Sequence, residues 1–153
     1  VGTRLKRMEE EKLDAIVLAT AGLKRLNWFE EPSYPYIHLT CEQCIPAVGQ
    51  GALAVECRSD DLEMIAFLSQ VDDSLTRKLV MEERAFLAEL NGNCDIPIGA
   101  YAAKLSKGYR FSGFLGDKEL QRSFSETVTV QDIRGVGQMM AKRLLGKIDQ
   151  EKK

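Results

Sequence analysis

The sequence predicts an α/β segment over residues 1–70, followed by an α+β module over residues 71–153. Three observations carry this. In the first part, helix-patterned stretches alternate with short, apolar, β-branched runs, the order typical of α/β units. In the second part, three strand-patterned stretches are separated by turn residues, as in an antiparallel meander. A long amphipathic helical pattern lies on each side of that meander and can cover one face of it. The length of 153 residues suits about one domain, or one domain and part of another.

Taken in order, Thr3 is expected to N-cap a helix running to about residue 12, with Leu5 and Met8 on its buried side. Residues 13–19 (LDAIVLA) read as a buried strand, 20–22 as a turn and 23–28 as a short helix carrying Lys24 and Arg25. Residues 29–44, with Pro32 and Pro35, read as an irregular connection. Residues 45–51 are apolar but interrupted by Pro46, Gly49 and Gly51. Such a segment suits a hinge or crossover, because glycine tolerates positive φ and close approach to a ligand. Residues 52–57 read as a second buried strand and 60–70 as a helix with acidic residues in its first turn.

From Ser74, expected as a cap, a long helix places Leu75, Leu79, Val80, Phe86, Leu87 and Leu90 on one stripe, and Asn91-Gly92 supply its stop. Strands are expected over residues 98–104, 109–115 and 123–130, with turns at Lys107-Gly108 and Gly116-Asp117-Lys118. A last helix over 131–147 would turn Ile133, Val136, Met140, Leu144 and Leu145 inward.

Composition narrows the function classes. Hydrophobic residues make up 44% and charged residues 29%, enough for a sizeable core and a soluble surface. Lys and Arg number 21 against 23 Asp and Glu, a net charge of -2. That balance argues against non-specific nucleic-acid binding, which rests on a basic excess. No apolar run of ~18 residues suggests a membrane span, and no secretory signal pattern opens the chain. Cys41, Cys44, Cys57 and Cys94 are too few and scattered for a disulfide scaffold, so reduced thiols in the cytoplasm are expected. The start at Val1-Gly2-Thr3-Arg4, directly inside structured-looking sequence, suits a piece of a longer protein.

Three groups of residues could carry chemistry. His38, Cys41 and Cys44, with Cys57, have spacing that could begin a zinc site. They lack the second close pair that a strong zinc signal requires, so ordinary loop cysteines are the favoured reading and no metal is expected. Arg4 opens a helix, where the dipole disfavours a cation, and Arg25 follows the end of the strand read over residues 13–19. Two arginines at such an edge could hold carboxylates bidentately, or could both be solvated surface residues. Cys94 follows a helix C-terminus and precedes Asp95; both raise the cost of a thiolate, so it is no activated nucleophile. It could be a covalent attachment point or a half-buried structural cysteine.

Four motifs occur in order: Val1-Gly2-Thr3-Arg4-Leu5, Leu18-Ala19-Thr20-Ala21-Gly22-Leu23-Lys24-Arg25, Pro46-Ala47-Val48-Gly49-Gln50-Gly51-Ala52 and Gly92-Asn93-Cys94-Asp95-Ile96-Pro97-Ile98. Together they closely resemble the porphobilinogen deaminase (hydroxymethylbilane synthase) family, and the resemblance extends over essentially the whole chain. It implies a transferase of tetrapyrrole (haem) biosynthesis that joins four porphobilinogen molecules into hydroxymethylbilane with release of ammonia. It also implies a dipyrromethane primer held by a thioether to Cys94. Arg4 and Arg25 match arginines that bind the carboxylates of cofactor and substrate, backbone at Leu18, Ala19 and Gly22 lines the same cleft, and Gln50 matches a hinge residue near the bound pyrroles. Asn93 departs from the family's usual second glycine before the cysteine, but Asn is the residue that best tolerates positive φ after glycine.

On the same resemblance, residues 1–49 are the second half of a periplasmic-binding-protein-like α/β domain, domain 2. Residues 50–70 are the hinge with a strand and helix returning to domain 1, and 71–153 are the α+β domain 3 that carries Cys94. The family's catalytic aspartate lies upstream, so no catalytic residue is expected in this chain, which alone should be inactive and without assembled cofactor. The expected partners are porphobilinogen and the growing oligopyrrole, with no nucleic acid and no membrane. The full-length enzyme is expected as a cytoplasmic monomer, and the fragment, with apolar residues such as Leu53, Val55, Ile65 and Leu68 uncovered, is open to self-association. The rival reading is a non-catalytic α+β binding module over residues 71–153.

Overall fold

A computed structural model describes residues 1–30, 34–90, 96–119 and 121–150, and the chain falls into two units, Val1–Leu39 and Thr40–Lys153. In the first unit, α1 spans Gly2–Glu10 and α2 spans Thr20–Arg25. Val1, not Thr3, is the N-cap of α1: its carbonyl accepts from the N–H groups of Arg4 and Leu5 at 2.9 and 3.1 Å. Thr3 therefore lies inside the first turn. Both helices end in the same way. After α1, Lys12 takes φ +53 while Leu13 N–H returns to the Met8 carbonyl at 2.9 Å. After α2, Asn27 takes φ +50 while Trp28 N–H returns to the Leu23 carbonyl at 3.0 Å. These are Schellman closures, in which one left-handed residue lets the chain satisfy its last free carbonyls. Asn27 is thus the stop that ends α2 at Arg25 and corrects the expected helix over 23–28; α2 begins earlier, at Thr20, inside the expected turn.

The strand expected over residues 13–19 does not form. The segment is non-regular and unpaired among the described residues, and Val17 is 70% exposed. A β-branched run favours extended backbone, but a strand exists only through its neighbour's hydrogen bonds. The irregular stretch that follows matches expectation, with one addition. Trp28, Phe29, Tyr36 and His38 form an aromatic cluster with ring centroids 4.9 to 5.8 Å apart. Tyr34 also donates its hydroxyl to Glu9 of α1. Pro32 lies outside the described residues.

The second unit is organised around a three-stranded antiparallel sheet in the order β1–β2–β3, comprising Ile98–Lys104, Tyr109–Gly116 and Ser123–Val130. The pairing places Phe111 opposite Ala102 on one side and Val128 on the other. Gly108, at φ +80, makes the first turn. Asp117 holds the second connection through Arg122, at 3.1 Å. Helices α4 (Ser74–Glu89) and α5 (Val136–Gln150) pack against the sheet. Phe86 of α4 meets Phe111 with ring centroids 5.8 Å apart, and Met140 and Leu144 of α5 complete a fully buried centre with Ile133. The two helices approach closely at Gly137, where a Cβ would lie 2.0 Å from the Glu82 carbonyl oxygen.

Helix α4 is capped by Asp73, not Ser74; the Asp73 carboxylate accepts from Thr76 N–H at 2.6 Å, satisfying an end donor. Leu75 is exposed; of the expected stripe Phe86 and Leu90 are buried and Leu79, Val80 and Leu87 half-buried, with Glu83 buried among them. The expected stop at Asn91-Gly92 lies outside the described residues. Helix α5 starts five residues later than expected, because Gly135 turns at φ +75; Ile133 is buried just before it. The expected 60–70 helix is α3 (Leu62–Leu68) with a 3-10 turn over Ser69–Val71, and Asp61 caps it by accepting from Met64 N–H at 3.0 Å.

The strand expected over residues 52–57 is likewise unpaired. Leu53 is 88% and Val55 68% exposed, so this segment is extended but neither strand nor core. The fold is α+β in the second unit, with helices and extended segments in the first. Among the described residues, no helix is long and apolar enough to cross a membrane.

Candidate carboxylate-binding site and hinge turn

Arg4 lies in the first turn of α1, which contains no acidic residue. Together with Arg7, Glu11, Leu13 and Val17 it lines a shallow groove between the helix and the extended segment that follows. Its guanidinium is exposed. Arg25 closes α2, where the helix dipole favours a cation, and is also exposed. Leu23 is the buried anchor of this short helix. Ala19 is its N-cap, and its carbonyl accepts from Gly22 N–H at 3.0 Å. The non-regular run over residues 13–19 thus leads through Leu18 and Ala19 into α2, which ends at Arg25, six residues after Ala19.

Arg58, Arg77, Arg110, Arg122, Arg134 and Arg143 all pair with carboxylates. Among the described residues Arg4 and Arg25, like Arg7 and Arg84, pair with none. Their geometry therefore leaves the planar forks that bind carboxylates bidentately available to a ligand.

Gln50 sits in the second unit, at a tight turn. Gly49 and Gly51 take φ +72 and +90, values that L side chains rarely adopt. Gln50 N–H donates to the Ala47 carbonyl at 3.0 Å, and Ala47 N–H donates to Gln50 Oε1 at 3.2 Å, so the side chain braces its own loop. Beside the turn, Ala100 N–H of β1 donates to the Pro46 carbonyl at 3.0 Å.

Cys94, the expected anchor, lies outside the described residues. Cys41, Cys44 and Cys57 are free thiols. His38 is taken up in the aromatic cluster, and among the described residues no three His, Cys, Asp or Glu side chains gather in a way that could hold a metal. Burial, followed by the neighbouring Cys41, raises the Tyr101 phenol above its ordinary range.

Glu83 was not among the residues expected to matter. It is 5% exposed, and its carboxylate accepts from Gly49 N–H at 2.8 Å and from Ala102 N–H of β1 at 2.9 Å. Burial raises its pKa, while the amide donors of Ala102 and Gly49 pull it down. A signal was present in the sequence: Glu83 interrupts the apolar spacing Leu79, Phe86, Leu90 at a position where the helix faces the core.

In the first unit, Arg4 on its groove and Arg25 at the end of α2 each present an exposed guanidinium fork whose geometry suits a carboxylate. Residues 1–66 match the family model described as "Porphobilinogen deaminase, dipyromethane cofactor binding domain", and residues 77–146 match "Porphobilinogen deaminase, C-terminal domain". A porphobilinogen deaminase of Brevibacillus brevis is 44% identical over 146 residues, covering 95% of this chain and 46% of the relative. That of Geobacillus kaustophilus is 42% identical over 141 residues, covering 92% of this chain and 45% of the relative. That of Lysinibacillus sphaericus is 40% identical over the same length, 92% of this chain and 45% of the relative. The chain belongs to the porphobilinogen deaminase family. It spans under half the length of these curated relatives.

Proposed function

We propose that the protein to which this chain belongs polymerises four porphobilinogen molecules into hydroxymethylbilane, releasing one ammonia for each unit joined. The observation that carries this reading is the pair of exposed arginines, Arg4 and Arg25, which among the described residues have no carboxylate partner and which lie, with Arg7, in the region that matches the cofactor-binding family model. The donor set fits the group. Each pyrrole unit brings two carboxylates into the cleft, and guanidinium forks are the side chains best shaped to receive them. When bound, the dipyrromethane supplies the primer to which the substrate units are added. Cys94 holds it by a thioether, Arg4 and Arg25 neutralise and orient side-chain carboxylates, and backbone at Leu18, Ala19 and Gly22 shapes the wall beside them. Gln50 borders the pyrroles from the glycine turn.

The residue that handles the pyrrole nitrogens lies upstream of Val1, so this chain alone is inactive and carries no cofactor. Residues 1–49 belong to a periplasmic-binding-protein-like domain 2, 50–70 are the hinge with a strand and helix returning to domain 1, and 71–153 are domain 3. The unpaired, exposed segments over 13–19 and 52–57 support this, because each has the composition of a strand and lacks a neighbour among the described residues. The whole enzyme is a cytoplasmic monomer without nucleic-acid or membrane partners, whereas the isolated chain self-associates through Leu53, Val55 and Ile65, all exposed, with Leu68 half-buried beside them.

The test is the intact mass of the N-terminally extended protein beside the same protein carrying Cys94→Ala. A two-pyrrole adduct on the first and none on the second is the expected result. A folded extended protein with no adduct would remove the proposed function and leave the family membership standing.

A further inference from the structure

We infer that Glu83 is a positioning residue: its buried carboxylate latches the Gly49-Gln50-Gly51 turn onto β1, so that Gln50 is carried as a fixed part of the sheet unit. This rests on the reading above, in which Gln50 borders the bound pyrroles. Two observations support it independently of that reading.

The first is geometric. One carboxylate oxygen receives Gly49 N–H at 2.8 Å and the other receives Ala102 N–H at 2.9 Å, so a single side chain on α4 joins two segments 53 residues apart. The Pro46 carbonyl adds a second tie by accepting from Ala100 N–H at 3.0 Å. The turn is thus held at its near end by the backbone of β1 and at its apex by Glu83. Gln50, whose own Oε1 braces Ala47 N–H, follows directly. The second observation is the cost of the arrangement. Among the described residues no Lys or Arg pairs with Glu83, so its burial is offset by backbone amides alone. An apolar side chain would fit the spacing of Leu79, Phe86 and Leu90 without that cost. A carboxylate there serves position more than core filling. Glycine at 49 complements it, since the N–H reaches Glu83 from a backbone at φ +72.

The latch predicts that bending between the domains is confined to residues 52–70 of the proposed hinge, with the glycine turn moving as one piece with β1. In the extended enzyme, Glu83→Gln keeps one acceptor oxygen and replaces the other with an NH2 group that cannot accept. The adduct on Cys94 should persist, with exchange of the Gly49 amide about tenfold faster and that of Phe111 and Leu115 unchanged. Chain elongation should slow by about tenfold in kcat, the equivalent of one lost bond to a charged acceptor. In a double-mutant cycle, Glu83→Gln should add less than about twofold to the loss caused by Gln50→Ala, because both act through the same turn.

Multiplicative losses in that cycle, or an unchanged Gly49 exchange rate, would overturn the inference. Should Glu83→Gln fail to fold, Glu83→Leu supplies apolar volume without either acceptor. A folded Leu variant with a freely exchanging Gly49 supports the latch, and one with full elongation activity refutes it. Unfolding of both variants assigns Glu83 to the core alone and also refutes it. If the wild-type protein carries no adduct, the functional reading fails and the exchange measurement alone decides the latch.

Discussion

Gly137→Ala tests the packing of α4 against α5 at its tightest point. The added Cβ would lie 2.0 Å from the Glu82 carbonyl oxygen and 2.9 Å from the Phe86 nitrogen. Moving from 2.0 to the 3.4 Å of ordinary contact requires the helices to separate locally by about 1.4 Å. Both obstructing atoms are backbone, so no rotamer change relieves them. The separation also draws Gly137 N–H away from Glu82 Oε2, now 3.0 Å distant, and loosens Met140 and Leu144 against the sheet. The cost is about 3 kcal/mol, the upper part of the range for overpacking a well-filled core. For a unit of this size that lowers the thermal midpoint by about 10 °C. Gly146, in the same helix, has nothing within 4 Å of its would-be Cβ and is the internal control. Gly146→Ala should stabilise by about 0.5–1 kcal/mol through helix propensity. Thermal unfolding of the three proteins by circular dichroism reads both effects. If Gly137→Ala unfolds within ~1 °C of wild type, α4 and α5 do not meet as closely at Gly137 as the 2.0 Å Cβ distance requires.

Arg25→Ala in the extended enzyme should lower kcat/KM for porphobilinogen by about ten- to a hundredfold, the worth of a bond between charged partners, with an unchanged thermal midpoint. A loss of stability without a loss of activity would place Arg25 in the fold and not at the ligand. Lys12→Gly relieves a non-glycine residue at φ +53 and should stabilise the closure of α1 by about 1 kcal/mol, read from the exchange rates of its last amides. Slower folding or faster exchange would contradict that closure. Asp132 is depressed from 3.8 to about 2, first by the Arg134 side chain and then by its backbone N–H. A carboxylate with a lowered folded pKa contributes stability that is fully present above its unfolded value and is lost as pH falls through the folded one. Asp132→Asn should therefore flatten the stability profile between about pH 4 and 2; a profile identical to wild type there would count against the pair.

The three strands and the ends of the sheet were readable in the sequence because their signals are local. Lys107-Gly108 marks a turn by itself, and the alternation through residues 123–130 needs no knowledge of what lies beside it. Residues 13–19 and 52–57 carry an equally good strand composition and form no strand. The composition records suitability for pairing, whereas pairing requires a second chain segment that these residues do not specify. Helix ends were the least legible. The stop at Asn27 depends on Trp28 N–H returning to Leu23, a bond that only the folded closure defines. Arg4 and Arg25 could be singled out as odd or well placed, yet only the motif resemblance joined them to a ligand. Glu83 was legible as a charge on an apolar stripe, while its donors at residues 49 and 102 could not be inferred from any local pattern.

Glu82 and Glu83 are neighbours on α4, so their side chains leave the helix about 100° apart. One receives the N–H groups of Gly135 and Gly137 at the start of α5, both at 3.0 Å. The other receives those of Gly49 and Ala102. Two neighbouring carboxylates therefore tie three distant stretches of chain to one turn of α4: Glu83 joins the glycine turn to the first strand, and Glu82 holds the start of the last helix. Unfolding of this region should accordingly be all-or-none, with the glycine turn, the first strand and the last helix released together.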